Sequence, residues 1–368
     1  MSFYEQWQQA SWEDTQLALY SKTAADVEKA LRAEVIDHND FLALLSPAAA
    51  PYLETMAVKS HHLTRQRFGN TLSLFIPLYL SNLCANECDY CGFSMSNRVR
   101  RKILSEDEIR RECEAIKSKG YDTILLVTGE HETKVGMEYF KMALAVIRQY
   151  FSYVMFEVQP LSAPEYAQLN EAGLNGVMVY QETYHARTYA RHHLRGKKAD
   201  IRWRLEAPDR LGAAGMDKIG LGSLIGLADW RVDSAFTALH LDYLRTRYWR
   251  SRYSLSFPRL RPCTGGVDPV MPISDKELVQ LICAYRLRFH EVEMSLSTRE
   301  QATMRDGLFS LGVTAVSAES STQPGGYSQP ADALEQFAID DTRATPEVAA
   351  AIRRGGLQPV WRDWLSGW

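Results

Sequence analysis

Three of the chain's six cysteines, Cys84, Cys88 and Cys91, fall in one C-x3-C-x2-C run. Thiolates are soft ligands, so such a run points to zinc or to an iron–sulfur cluster. Zinc usually takes four ligands, commonly from two C-x2-C pairs. Cys113, Cys263 and Cys283 stand alone, and only His61 and His62 precede the run as possible recruits. A four-iron cube held by three cysteines uses the odd number directly. It leaves one iron without a protein ligand, free to chelate a small molecule through an amine and a carboxylate. The count of thiols favours the cube, and zinc stays open as the rival, in a binding module without catalysis.

The elements that must position these thiols can be read from periodicity. Short β-rich runs recur at 71–80, 122–128, 153–159, 175–180, 217–222, 252–258, 292–298 and 312–318. Helical stretches such as 105–119, 136–150, 163–172, 204–214, 231–249 and 274–288 lie between them. Ser105 with Glu108 and Ser274 with Glu277 form capping boxes at two helix starts. Strand–helix alternation argues for a parallel sheet, and eight units in about 250 residues argue for closure. The expected fold is α/β: a (β/α)8 TIM-type barrel over 71–320, a helical N-terminal extension over 1–70, and a C-terminal tail over 321–368 packing on the barrel. A doubly wound open sheet is the alternative. The tail ends in Trp361, Trp364 and Trp368.

Composition narrows the class further. The 368 residues carry Lys+Arg 42 against Asp+Glu 45, a net charge of −3. Nothing here attracts a polyanion, so no nucleic-acid partner is expected. The apolar run Leu74–Leu80 is broken by Pro77 and falls well short of the ~20 residues a membrane span needs. With no basic-then-apolar leader and no disulfide scaffold, a soluble protein of the reducing cytoplasm, without membrane contact, is expected.

In a barrel of this kind the chemistry sits at the C-terminal ends of the strands. The cysteine run follows the first predicted strand, with aromatic Tyr90 just before Cys91. In that setting the spacing resembles the signature of the radical S-adenosylmethionine enzymes. Thr128-Gly129-Glu130 resembles the Gly-Gly-Glu segment that binds the methionine amine in that superfamily. Glu157 and Gln159 put two polar groups in an apolar strand, for cofactor binding or for an internal hydrogen bond. Glu182 lies in the polar set Tyr180–His185, suited to ribose hydroxyls. Ile225 follows Gly220-Leu-Gly222, where bare backbone could approach an adenine ring. Arg204 is a candidate for the cofactor's carboxylate. Arg259, Arg261 and Arg299 each offer a planar fork to a carboxylate, or a surface salt bridge. Ser317, Glu319 and Ser320 close the last strand, with Ser317 a catalytic candidate. His192 and His193 read as loop-packing residues, and Arg195 to Lys198 as a charged loop.

Longer segments carry a closer resemblance. Leu78–Asn97, Val127-Thr-Gly-Glu-His131, Val179–Tyr184, Phe257-Pro-Arg-Leu-Arg-Pro262, Leu296-Ser-Thr-Arg-Glu300 and Thr322-Gln-Pro-Gly-Gly-Tyr327 resemble the 2-iminoacetate synthase family, the tyrosine lyases of thiamine biosynthesis. The resemblance runs over essentially the whole chain. Several segments are shared with the tyrosine lyases of hydrogenase maturation, which add a C-terminal C-x2-C motif for a second cluster; no cysteine follows Cys283 here.

The resemblance implies a 4Fe–4S cluster on Cys84, Cys88 and Cys91 and S-adenosylmethionine bound to its open iron. It implies a 5′-deoxyadenosyl radical that takes hydrogen from the amino group of L-tyrosine. Cα–Cβ cleavage then gives 2-iminoacetate (dehydroglycine) and p-cresol. Arg299 is the first candidate for the tyrosine carboxylate, with Arg259 or Arg261 as alternatives. Implied partners are thiazole synthase, its sulfur-carrier system and a reductant such as flavodoxin. Another aromatic amino acid, such as tryptophan, remains an alternative substrate. One departure stands out: an apolar or small residue is expected at Glu319 and a basic one at Ser321. Either side chain would matter if it reached the cavity and would be neutral if it faced the helices.

Overall fold

The computed structural model describes residues 2–329 and 335–362. Its strands are β1 Thr71–Ser81, β2 Glu87–Cys88, β3 Thr123–Thr128, β4 Tyr153–Glu157, β5 Gly176–Met178 and β6 His193–Arg195, followed by β7 Lys218–Leu221, β8 Arg252–Ser256, β9 Glu293–Leu296, β10 Ala315–Ser317 and β11 Gln358–Val360. Eight of these, β1, β3, β4, β5, β7, β8, β9 and β10, pair in parallel. The ring closes where β10 meets β1, Ser73 beside Ala315 and Phe75 beside Ser317. That closure makes a barrel and excludes the open sheet.

The alternation of side chains sorts each strand into two faces. Leu72, Leu74, Ile76 and Leu78 of β1, Ile124 and Leu126 of β3, and Val154 and Phe156 of β4 join the main core beneath the outer helices. Their neighbours Phe75, Tyr79, Leu125, Val127, Tyr153, Met155 and Met178 point inward and fill the middle of the barrel. On β8, β9 and β10 the inward positions are small and polar, Ser256, Ser295 and Ser317, so the bore stays open above the apolar plug.

Helices 106–118, 163–171 and 275–288 begin in reciprocal capping boxes on Ser105, Ser162 and Ser274, which satisfy backbone N–H groups that no helical turn reaches. The N-terminal segment forms helices that lie on the outside of the barrel. Leu53–Phe68 packs against the 275–288 helix, and Phe3 stacks face to face on His240 at 3.8 Å. At the other end of the chain, β11 adds to the first residues of β1, Thr71 beside Gln358. Trp361 meets Tyr121 edge-on at 5.4 Å; Trp364 and Trp368 lie outside the described residues. No single helix among the described residues is long and apolar enough to cross a membrane.

Candidate active site

Cys84, Cys88 and Cys91 line the cavity at the C-terminal mouth of the barrel. Their loop is fixed from several sides. The Arg101 guanidinium donates to the carbonyls of Asn82, Phe93, Ser94 and Asn97, at 2.7, 2.8, 2.6 and 3.1 Å. Gly129 packs directly beneath: a Cβ there would lie 2.4 Å from the Leu83 carbonyl oxygen, which only glycine avoids. Antiparallel pairing of β2 with β6 holds the loop from the side. Gly196, at φ +88, crosses so closely that a Cβ would stand 2.1 Å from Asn86 Oδ1. The Cys263 thiol donates to the Tyr90 carbonyl at 3.2 Å and braces the loop without joining its thiols.

Beside the cysteines lies a charged wall. Glu130 accepts from Arg204 Nη1 at 2.6 Å and from Asn86 Nδ2 at 2.7 Å. Burial pushes this carboxyl up, but Arg204, Lys198 and Asn86 outweigh burial and hold it below the usual range. Lys198 Nζ pairs with Glu182 at 2.7 Å, both side chains 11% exposed. Glu182 sits at φ +70, a conformation rare for residues other than glycine. The Tyr90 hydroxyl contacts His193 Nε2 at 2.7 Å, and His193 Nδ1 contacts the Tyr189 carbonyl at 2.7 Å. Both histidines of the pair pack the loop, His192 against Asp89.

Glu157, Tyr180, Arg261, Arg299 and Ser317 line the same cavity. Burial pushes the Glu157 carboxyl up to about 7, with Arg299 pulling against it. Burial lowers the Arg299 guanidinium, which lies 3.4 Å from the Phe337 ring centroid and reaches the Arg259 carbonyl at 3.4 Å. Arg261 is tied to Asp340.

Three of the expected site residues lie elsewhere. Arg259 grips Glu300 through two nitrogens and Asp275 through a third, at 2.8 Å, and does not line the cavity. Gln159 follows the end of β4 at Glu157, so the strand's inward–outward alternation no longer applies; its amide donates to the Val135 carbonyl at 2.7 Å. Ile225 lies beyond β7; its side chain joins the outer core, and its backbone bridges the carbonyl of Pro258 and the N–H of Leu260, each at 2.8 Å. His61 contacts the Ser310 carbonyl at 2.8 Å, on a helix outside the barrel, and does not line the cysteines' cavity. Glu319 faces the helices: it pairs with Lys119 and accepts from the Thr345 backbone at 3.0 Å. Ser321 also lies off the cavity, its backbone N–H donating to the Tyr327 hydroxyl at 3.0 Å.

The stretch read as a charged loop, Arg195 to Lys198, is instead part of the site, through β6, Gly196 and Lys198. Asn86, Arg101, Tyr79, Gln336 and Phe337 also escaped the sequence reading. Only Asn86, inside the cysteine run, carried a local signal.

The donor set, three soft thiols lining one cavity, suits an iron–sulfur cluster. Burial pushes all three thiols up, Cys84 to about 11; bound iron would offset that cost and hold them as thiolates. The neighbouring Glu130, Arg204 and Glu182 offer charge of both signs to an amino acid's ammonium and carboxylate.

Comparison with known proteins agrees with this geometry. Residues 78–236 match the radical SAM superfamily and residues 256–358 the Biotin and Thiamin Synthesis associated domain. The chain is 58% identical over 366 residues to 2-iminoacetate synthase of Escherichia coli K12, covering 99% of this chain and 97% of that protein. The Salmonella typhimurium 2-iminoacetate synthase is equally similar, 58% over 366 residues with the same coverage. The structure of the FeFe-hydrogenase maturase HydG from Carboxydothermus hydrogenoformans superposes with a TM-score of 0.87 at 28% identity, over 98% of this chain and 83% of that one. Methylornithine synthase shares the fold, with a TM-score of 0.73 at 20% identity, over 91% of this chain and 97% of that one. The chain belongs to the 2-iminoacetate synthase family of radical S-adenosylmethionine lyases.

Proposed function

We propose that the protein cleaves the Cα–Cβ bond of L-tyrosine to 2-iminoacetate and p-cresol, with residue roles as follows. The observation that carries this reading is one cavity lined by the three cysteines, Glu130 and the guanidinium of Arg299. When bound, the 4Fe–4S cluster and S-adenosylmethionine supply the electron and the 5′-deoxyadenosyl radical that takes a hydrogen atom from the substrate.

The chain's own residues bind, orient and shield. Cys84, Cys88 and Cys91 would hold the cluster through their thiolates. Glu130 accepts the methionine ammonium, kept ionised by Arg204. Lys198 and Glu182 flank the cofactor's remaining polar groups. Arg299 takes the tyrosine carboxylate; Arg261 stands nearby, and Glu157 faces the substrate's amino group. Phe75, Leu125 and Met178 wall the middle of the bore with apolar surface that excludes water from a reactive radical. Fixing donor and acceptor in one cavity converts hydrogen transfer into a unimolecular step.

The imine product hydrolyses in water, which favours direct hand-off. Thiazole synthase with its sulfur-carrier system is the acceptor we propose, supported by the match to the Biotin and Thiamin Synthesis associated domain. A flavodoxin-type reductant would supply the low-potential electron, and a cytoplasmic location suits thiols that must stay reduced.

The test is anaerobic turnover of reconstituted protein with S-adenosylmethionine, a low-potential reductant and L-tyrosine. p-Cresol and 5′-deoxyadenosine should appear together, and neither in a Cys88→Ala variant. Deoxyadenosine without p-cresol would reject tyrosine as the substrate.

A further inference from the structure

Residues 335–341 return over the mouth of the barrel. Gly92 N–H donates to the Gln336 carbonyl at 3.1 Å, and Gln336 N–H to Thr322 at 3.0 Å. The backbones are so close that a Cβ on Gly92 would lie 2.6 Å from that carbonyl oxygen. This places the Gln336 side chain over the cysteine loop: Nε2 is 3.7 Å from Cys91 Sγ, and Oε1 accepts from the Tyr79 hydroxyl at 2.7 Å.

We propose that Gln336 is a positioning residue that sets the reduction potential of the cluster through an N–H···S hydrogen bond to Cys91. The inference rests on the cluster assignment above. The amide has one sensible orientation, because turning it over would aim its oxygen at a thiolate and leave the nitrogen against the Tyr79 hydroxyl. Reduction adds one negative charge, shared by the cluster and its sulfur ligands. A donor to one of those sulfurs therefore favours the reduced form and raises the potential. Main-chain N–H groups of Asn86 and Phe93 also donate to Cys84 and Cys91, but substitution leaves these in place. Gln336 is the adjustable donor. It comes from the far end of the chain, so the tail and the cluster are linked through one side chain.

The experiment is an anaerobic redox titration of the reconstituted full chain, followed by electron paramagnetic resonance of the reduced cluster. In Gln336→Leu the reduced-to-oxidised ratio at the wild-type midpoint should fall about threefold, a one-electron shift of roughly −30 mV at 59 mV per decade. Tyr79→Phe keeps the amide but frees its anchor and should shift the midpoint the same way by less. A Gln336→Leu midpoint equal to wild type overturns the inference. If Gln336→Leu binds fewer than four irons, the Tyr79→Phe titration decides: a downward shift supports the inference and no shift overturns it. A wild-type protein that takes up no four-iron cluster would instead overturn the cofactor assignment beneath it.

Discussion

Arg204 Nη1 meets Glu130 Oε1 at 2.6 Å, while Arg204 Nε donates to the Tyr180 carbonyl at 2.9 Å. One guanidinium therefore holds together the segment after β3, the segment after β5 and the short helix Ile201–Leu205. Arg204 is buried at 7% side-chain exposure and Glu130 largely shielded at 15%, so losing either leaves the other's charge poorly compensated.

Arg204→Gln should therefore do more than remove a contact. Without its chief counter-charge, burial pushes the Glu130 carboxyl up, and a protonated Glu130 cannot pair with the methionine ammonium. S-Adenosylmethionine affinity should drop at least tenfold at neutral pH and recover partly as pH rises. Isothermal titration calorimetry between pH 6 and 8.5 measures this, against a wild type that stays flat.

Arg299→Ala should raise the KM for tyrosine by about 10- to 100-fold, matching the ~1.5–3 kcal/mol of a hydrogen bond to a charged group. Iron content and S-adenosylmethionine binding should be unchanged. Arg259→Ala, which leaves Glu300 buried at 2% exposure without its partner, should lower thermal stability and leave the tyrosine KM nearly untouched. p-Cresol formation against tyrosine concentration separates the two.

Glu157 titrates at about 7 rather than at its ordinary 4.5. Below 7 it is neutral, and above 7 its carboxylate can accept from the substrate's ammonium. kcat/KM should therefore rise with pH through about 7, and Glu157→Gln should flatten that rise. Stability moves the other way. Between 4.5 and 7 the folded protein keeps a proton that the unfolded chain gives up, so this group makes stability fall as pH climbs through that window. Thermal denaturation of Glu157→Gln should lack that component.

Gly196→Ala forces a methyl group against Asn86 at a backbone angle that L-residues seldom adopt. The β2–β6 pairing should open and displace the cysteine loop. Iron bound after reconstitution should fall below half of wild type, while circular dichroism stays barrel-like. Full iron loading in this variant would show that β6 is dispensable for the cluster.

The sequence made the barrel legible because its strands carry two signals at once: apolar residues facing the helices at every second position and capping boxes where the helices begin. The cysteines were legible through spacing alone. Gln159 and Ile225 were misplaced because both lie just past a strand's end, where alternation stops applying. Arg259 was misplaced because an arginine near the mouth satisfies its charge with whichever carboxylate is nearer, here Glu300 and Asp275. Lys198 looked like one of several basic loop residues; only pairing through β6 buries it. Tyr79, Phe337 and Gln336 come together because a tail folds back over the mouth, a contact between distant segments that no local pattern announces.

The seam of the barrel has a bearing on how the protein is made. β1, the earliest barrel strand, pairs with β10 at Ser73–Ala315 and with β11 at Thr71–Gln358. On the ribosome, then, β1 emerges long before either of those partners exists, and its exposed edge must wait for almost the whole chain. The cysteine loop hangs from the end of that waiting strand. Iron insertion thus belongs after synthesis, and the nascent chain is the stage at which chaperones would meet this protein with its edge unguarded.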